Sequence, residues 1–555
     1  MKRKFNNLIL LSTLFIFGSS NIILAQDDKM VKEVQVVRPY EPSISDANKI
    51  NIQPKIVDTI RVNPNFSYSI IQRPISTYFT PAPLSAARMV AEPLPDLSRN
   101  YLRLGIGNSI LPQAEFYFAS NRNSDYTYGA WLKYFNNKPK IKFDNSNEVK
   151  APASNIDMLL FGKRMFNDKV LSGDIGYNQI KRTYYGYNFY NAALQPSNDK
   201  QAINRFAANF EFKSTTKDSS KFNYQAKANF YHLNDKYDLE ENMLKGMLSV
   251  NKFIDKEQFG GDIMYIHYGR NNTDGSKNNT IIRIKPWAHF SGKQWHAFAG
   301  LNVIVDANGN VNETYFFPNA FISYDIVSHY VIPYVEINGD VEENSYYTLL
   351  STNPWLYTST ESWNSVNKLM IGGGIKGKFS PVVSYNINAN YSIIDSLALF
   401  RNISIDTNNP LFNRFGLVFD NIERTTIKGE LALEPSKLFR MSISGEFYQY
   451  KTSKEAKPWH LPNYKIATSI EYILMSKLKI NALIAAEGKR WAIDASSSPI
   501  HLDGFLDFNL GAEYLYNKRA SIFINFNNIT STAYQIWYLY PSQKFNMVAG
   551  VSYKF

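Results

Sequence analysis

The sequence predicts an all-β fold: a transmembrane antiparallel β-barrel of about 22 strands with a proline-rich N-terminal periplasmic segment. Three features predict it. The chain opens with an export signal. Past residue 100 it alternates apolar and polar residues in short segments. Its last residues, ending at Phe555, read as one more such segment.

In chain order, residues 1–25 come first. Lys2, Arg3 and Lys4 form a basic start, Leu8 to Phe17 an apolar stretch, and Ala25 closes a cleavage site before Gln26. This is the pattern of a secretory signal that is removed. The stretch is short and broken by Ser19, Ser20 and Asn21, which argues against a retained anchor helix. There is no cysteine, so a cysteine-linked lipid anchor, disulfides and thiolate metal sites are excluded. No later apolar run reaches the ~18 residues of a membrane helix. Phe (37), Tyr (37) and Trp (8) are abundant, which suits the aromatic girdles of a membrane barrel. Of the net charge of +12, the leader supplies three. The remainder reads as lysine of the lumen and loops; no nucleic-acid motif is present, and no nucleic-acid partner is expected.

Residues 26–100 form the second element. They hold nine of the 24 prolines: Pro39, Pro42, Pro54, Pro64, Pro74, Pro81, Pro83, Pro93 and Pro95. Proline removes a backbone donor, so this stretch cannot be regular sheet throughout. It reads as an extended periplasmic segment, folded into the lumen or docked on a partner.

The barrel is expected over 101–555. Phe222, Tyr224, Ala226, Ala228 and Phe230 share one strand face, opposite Asn223, Gln225, Lys227 and Asn229. Phe206, Ala208, Phe210 and Phe212 oppose Arg205, Asn209, Glu211 and Lys213. Ile282, Ile284, Ala288 and Phe290 oppose Arg283 and Lys285. Alternate strand residues point to opposite faces. Polar faces this extensive predict a wide, wet interior and an apolar exterior against lipid. Short turns, as at Asn167-Asp168, Lys217-Asp218, Asp255-Lys256, Ser380-Pro381 and Met475-Ser476, alternate with longer loops such as 136–154, 182–202, 341–366, 395–423 and 451–463. The short turns are assigned to the periplasm. An even count puts both barrel ends there too. Within 395–423, the apolar pieces Leu397–Phe400 and Phe415–Phe419 read either as a loop hairpin or as two more strands.

The C-terminal segment runs Asn528-Ile529-Thr530, Tyr534, Trp537-Tyr538-Leu539-Tyr540-Pro541, then Phe545 through Gly550-Val551-Ser552-Tyr553-Lys554-Phe555. It resembles the end of TonB-dependent receptor barrels, especially those of Bacteroidota. The resemblance implies a 22-stranded outer-membrane barrel acting in transport. It also implies outer-membrane lipids as surroundings, and Val551, Tyr553 and Phe555 as the signal read by the barrel-assembly machinery. Near the other end, Glu33-Val34-Gln35-Val36-Val37, running on into Arg38, Pro39 and Tyr40, loosely resembles a TonB box, the segment that adds a strand to TonB. It reads equally as a plain strand or linker. The sequence departs from the family in having only residues 26–100 where a much larger plug is expected.

No catalytic site is expected. The histidines, His232, His267, His289, His296, His329, His460 and His501, show no metal-binding spacing. His289 and His296 flank a turn and read as interfacial contacts. There is no G-x-S-x-G elbow. Gly372-Gly373-Gly374 with Gly377 lacks the residues of a phosphate loop and reads as close backbone approach. No cofactor is implied. Arg205, Glu211, Lys213, Lys227, Arg283, Lys285, Lys428 and Glu430 are the candidate lumen lining, against the plainer reading of a solvated wall.

Two functions remain open. The first is transport across the outer membrane, with the lumen blocked by residues 26–100 and the loops. The second is a non-transporting scaffold in an outer-membrane biogenesis or secretion complex, holding periplasmic or surface-lipoprotein partners.

Overall fold

The computed structural model describes residues 100–555, apart from 122, 144–146, 189–193, 195–197, 216–220, 274, 310, 360 and 406–409. The leader, the proline-rich segment, the stretch Glu33–Tyr40 and the turn at Lys217-Asp218 lie outside the described residues.

Twenty-two antiparallel strands, β1 (Asn100–Gly107) to β22 (Asn546–Lys554), form one sheet. Each pairs with its sequence neighbours, and β22 returns to β1. Tyr101 lies opposite Lys554, and Gly107 opposite Val548. Asn100 and Phe555 exchange backbone hydrogen bonds at 3.0 and 3.1 Å. The sheet is therefore closed and has no free first or last edge, which is how a strand structure satisfies its backbone without water.

The expected alternation holds, with the apolar side outward. Phe206, Phe210, Phe212, Phe230, Ile282 and Ile284 are exposed. On β22, Met547, Val551 and Tyr553 are exposed while Val548 and Ser552 are buried. Phe555 is exposed as well.

Ten connections lie on the rim that holds both barrel ends, and most are short. The other rim carries the long ones: 138–152, 184–199, 343–364, 404–413, 453–463, 488–504 and 528–545. Four connections on that rim depart from the expected pattern, the first being the two-residue turn 108–109 after β1. Residues 235–239, 273–274 and 309–310 are tight, because the strands beside them, such as β9 (Glu257–Asn272) and β10 (Gly275–Ser291), are long enough to rise above the wall. The glycine run lies in β14 (Ser365–Ser380). A side chain at Gly373 would sit 2.9 Å from the Tyr334 carbonyl oxygen, so close backbone approach is what these glycines serve.

The 395–423 stretch is neither a separate hairpin nor an extra pair of barrel strands. β15 (Val383–Ile403) and β16 (Arg414–Ser436) run straight through it and stay paired from Leu397–Asp420 to Ile403–Arg414. The ladder shifts register between Ile394 and Leu397, where Ser396 adopts a φ of 53°. A β-bulge of this kind bends a ribbon without ending it. The bend tips the ribbon's apolar residues, among them Leu399, Phe400, Phe415 and Leu417, into buried positions.

Candidate functional site: the loop-closed lumen

The candidate lumen residues lie on the strand faces opposite the exposed apolar side chains, and the structure pairs most of them. Glu211 on β6 (Lys200–Ser214) has Lys213 at 3.5 Å and Lys227 at 3.6 Å, and accepts from Gln225. Lys428 on β16 bridges Glu430 at 2.8 Å and Glu446 at 3.5 Å. These groups keep part of their surface exposed, so each pair contributes at most about 1 kcal/mol. They form a charge-balanced polar wall.

The remaining candidates have a different task. Arg205 and Arg283 hold the connection 343–364, which folds back into the mouth of the lumen, and Lys285 holds the end of the strand that leads into it. The connection's seven-residue helix α1 (Tyr346–Thr352) is capped by Ser345, whose side chain accepts from the Thr348 N–H. The Arg205 guanidinium lies 3.9 Å from the Tyr347 ring centroid, within cation–π range. Arg283 pairs with Glu343 and with Asp340 at 3.2 Å, and donates to the Val341 carbonyl. Lys285 reaches Asp340 at 3.3 Å.

The strongest anchor was not among the sequence candidates. Glu241 on β8 (Glu240–Ile254) is fully buried. It accepts from the Tyr231 hydroxyl at 2.7 Å and from the Tyr346 and Tyr347 N–H groups at 3.0 and 3.3 Å. It also pairs with Arg270 at 2.8 Å, and Arg270 donates onward to the Asn344 carbonyl at 3.1 Å. A carboxylate at free N–H groups of a helix start satisfies donors that have no partner in the helix. Nothing local in the sequence marks this site, because its members come from β7 (Asn223–Asn234), β8, β9 and a loop some hundred residues away.

The expectation of a uniformly wet interior is corrected here. On this side of the mouth the inward positions are apolar: Leu233, Ile266, Ile281, Ile304 and Phe317 are buried, packed with Tyr346, Leu349 and Leu350 of the inserted loop. The reason is burial. A wall residue covered by the protein's own loop meets side chains and not water.

Further along, the loop meets the tipped β15–β16 ribbon and Thr183. Tyr357 N–H donates to the Phe415 carbonyl at 2.7 Å, Phe415 N–H donates to Trp355 at 3.2 Å, and the Trp355 indole donates to Thr183 at 3.0 Å. Thr358 donates to Asp235 at 2.8 Å. The Trp355 ring stacks on Tyr540 at 3.9 Å, and Tyr185 meets Tyr540 edge-on at 4.9 Å. The aromatic stretch Trp537–Pro541 is thus a keystone: Tyr540 donates to the Asn413 carbonyl, and Trp537 packs on Phe400, Phe415 and His460.

Two polar clusters fasten the cap. Arg414 lies over the Tyr184 ring at 3.3 Å and pairs with Asp199 at 2.6 Å; Asp199 also binds Lys236 and the Tyr237 hydroxyl. Burial alone would raise the Asp199 carboxyl. The hydrogen bonds from Lys236 and Tyr237 and the Arg414 charge outweigh it and hold the group well below the usual carboxylate range. His460 is buried. Its Nδ1 donates to the Phe400 carbonyl at 2.9 Å, which leaves Nε2 to accept from the Tyr538 N–H at 3.4 Å. Burial pushes its pKa down to about 4; the Phe400 bond opposes this, and the Arg490 charge adds to it.

His289 and His296 stack at 6.3 Å beside their turn. Among the described residues no group of three or more His, Asp or Glu side chains is placed to hold a metal ion.

These features define a class: a closed 22-stranded antiparallel barrel with an apolar exterior, a polar inner wall and one rim sealed by its own loops. No protein-family model and no curated protein sequence matches the chain. Solved structures do. The FrpB iron transporter from Neisseria meningitidis (F3-3 variant) is similar with a TM-score of 0.65 at 10% identity, covering 83% of this chain and 82% of its own. The siderophore receptor PirA from Acinetobacter baumannii gives 0.64 at 10%, covering 84% and 81%. The ferric-catecholate import receptor Fiu from K12 E. coli gives 0.62 at 8%, covering 83% and 82%. At such identities the likeness is one of fold.

Proposed function

We propose that this chain is an integral outer-membrane protein that moves a solute across that membrane, in the manner of a receptor-type transporter and not of an open pore. The single observation that carries this reading is the inserted 343–364 loop, which lies in the mouth of a 22-stranded barrel and is bonded both to β8 and to the tipped β15–β16 ribbon. A barrel of this width leaks unless closed. The solved structures it resembles are an iron transporter, a siderophore receptor and a ferric-catecholate import receptor, which supports transport as the class. On this reading the long-loop rim faces outward and the barrel ends face the periplasm. Leader removal, recognition of Val551, Tyr553 and Phe555 during assembly, and engagement of a periplasmic partner by residues 33–40 are parts of the same proposal.

The test is conductance in planar bilayers together with sensitivity of cells to large antibiotics. Intact protein is expected to conduct little. Deleting residues 345–363 together with 26–99 is expected to open a large, steady pore. An intact protein that already conducts like a wide porin would overturn the reading. So would a stoichiometric complex with assembly or secretion components that falls apart when 26–99 are deleted, which would favour the scaffold.

A further inference from the structure

One seam of the barrel is unlike the others. β11 (Trp295–Asn308) and β12 (Val311–Tyr324) are paired along their whole length. β12 and β13 (Ile332–Glu342) are paired only from Ala320–Ile337 to Ser323–Tyr334, four register positions at the barrel-end side. Beyond Ala320, residues 311–319 of β12 have no ladder partner on that edge. β13 nevertheless continues, paired with β14 up to Glu342. Its upper half slips behind β12 into the lumen, across a register shift between Asn338 and Asp340.

Side chains replace the missing ladder. Asn302 on β11, almost fully buried, donates to the Gly339 carbonyl at 2.8 Å, and Arg283 on β10 donates to the Val341 carbonyl. The inner flap is thus buttoned to β10 and β11, two and three strands away. The outer edge is not. It carries Pro318, which has no N–H to offer a ladder, as is usual for edge strands. A single side chain fills the gap: a Cβ at Gly339 would lie 2.7 Å from the Phe317 ring, so Phe317 rests directly on the glycine backbone.

What lies on either side decides the chemistry. Outside, Phe316 is 66% exposed, with Ile322 and Val335 exposed nearby, on the face that meets lipid. Inside, behind Phe317, lie Ile304, Ile281 and Val341 and the inserted loop's Leu349 and Leu350, an apolar cluster where a lumen wall is otherwise polar. Apolar side chains therefore lie on both sides of a seam without a backbone ladder, with Phe317 across it and the polar groups of Asn302, Arg283 and Asp340 beside it.

We infer that the upper β12–β13 seam is a lateral portal through which the acyl chain of a membrane amphiphile enters the lumen beneath the inserted loop, with Phe317 as its stopper. This rests on the outer-membrane reading above. The occupant is an acyl chain because apolar side chains flank the seam on both sides. Lateral passage also spares the wall ladder bonds that would otherwise have to break.

The test uses the full-length protein in native outer membranes, with benzoylphenylalanine introduced singly and photolysed. Outward-facing Phe316→benzoylphenylalanine must give lipid adducts. Ile304→benzoylphenylalanine, inside the wall behind the seam, is expected to give them too, whereas Asn229→benzoylphenylalanine, inward-facing behind a continuous ladder, is expected to give none. The chain has no native cysteine, so the pair Phe317→Cys with Gly339→Cys forms the only disulfide, once the two backbones part by about 1 Å from their 2.8 Å Cβ separation. Oxidation is expected to reduce the Ile304 adduct at least tenfold, and reduction of the same sample to restore it, which separates closure from misfolding. Phe316 adducts without Ile304 adducts, or Ile304 adducts indifferent to the disulfide, overturn the portal. No adduct at Phe316 overturns the membrane reading first, and the portal with it.

Discussion

Replacing Glu241 with alanine removes the carboxylate that holds the start of α1. Three donors lose their acceptor: the Tyr231 hydroxyl and the Tyr346 and Tyr347 N–H groups. Arg270, whose side chain is 7% exposed, keeps a charge with its main partner gone. Breaking a buried pair by deleting one member costs about 3–5 kcal/mol. Nearly all of it falls on the docked state, because in the undocked loop the donors reach water. At about 1.4 kcal/mol per tenfold, the docked-to-undocked ratio drops by roughly two to three and a half powers of ten. Hydrogen exchange of residues 343–364 in detergent reads this directly: their protection should fall by that factor while strands remote from the mouth keep theirs. The double variant Glu241→Leu with Arg270→Met removes both charges and should restore much of the protection. If Glu241→Ala leaves the loop's exchange unchanged, the carboxylate does not hold the loop and the argument for closure fails.

Further expectations concern the cap and the wall. His460 has a folded pKa of about 4 against an ordinary value near 6.5, so the unfolded cap binds the proton first. Its contribution is complete above pH ~6.5 and is lost as pH falls toward 4, up to roughly 3 kcal/mol. Thermal melts should show that slope, and His460→Gln should flatten it. The Asp199 carboxyl is also depressed, so its support for Arg414 and Tyr237 persists to lower pH and is lost only in strong acid. Asp199→Asn should make residues 184–187 and 236–239 more sensitive to limited proteolysis at neutral pH. Lys213→Ala with Lys227→Ala should lower stability by no more than ~2 kcal/mol, since both pairs are part-exposed. In the loop-deleted, conducting form it should move ion selectivity toward cations.

Much of the barrel was legible because its signal is periodic and local. Phe206, Phe210 and Phe212 alternate with Glu211 and Lys213, and that pattern alone assigns faces. The turns at Asn167-Asp168 and Met475-Ser476 separate strands as expected. The cap was not legible. Ile281 and Ile282 are neighbours of one type, yet one faces the covered lumen and the other the outside. Periodicity cannot tell a wet wall from one covered by a loop. Glu241 and Arg270 look like any lumen charges until α1 is brought against them. The Trp537–Pro541 stretch stood out by composition, but its contacts, Trp355, Tyr185 and Asn413, are hundreds of residues away in sequence. A faint hint lay in Pro318 and Gly339, a ladder breaker and a side-chain-free residue in adjoining strands.

The neighbour-to-neighbour pairing of the strands has a consequence for how the molecule is made. Every hairpin around the barrel joins segments close in the chain, so loop-closure entropy is small at each step. One pairing stands apart: β22 with β1, whose partners lie at opposite ends of the barrel sequence. Contacts of such separation are slow to find. Until that last meeting, the growing sheet carries two raw edges, each a template for the wrong neighbour. Assembly speed is thus governed by a single late encounter, and a chain arrested just before it is the species most prone to aggregate.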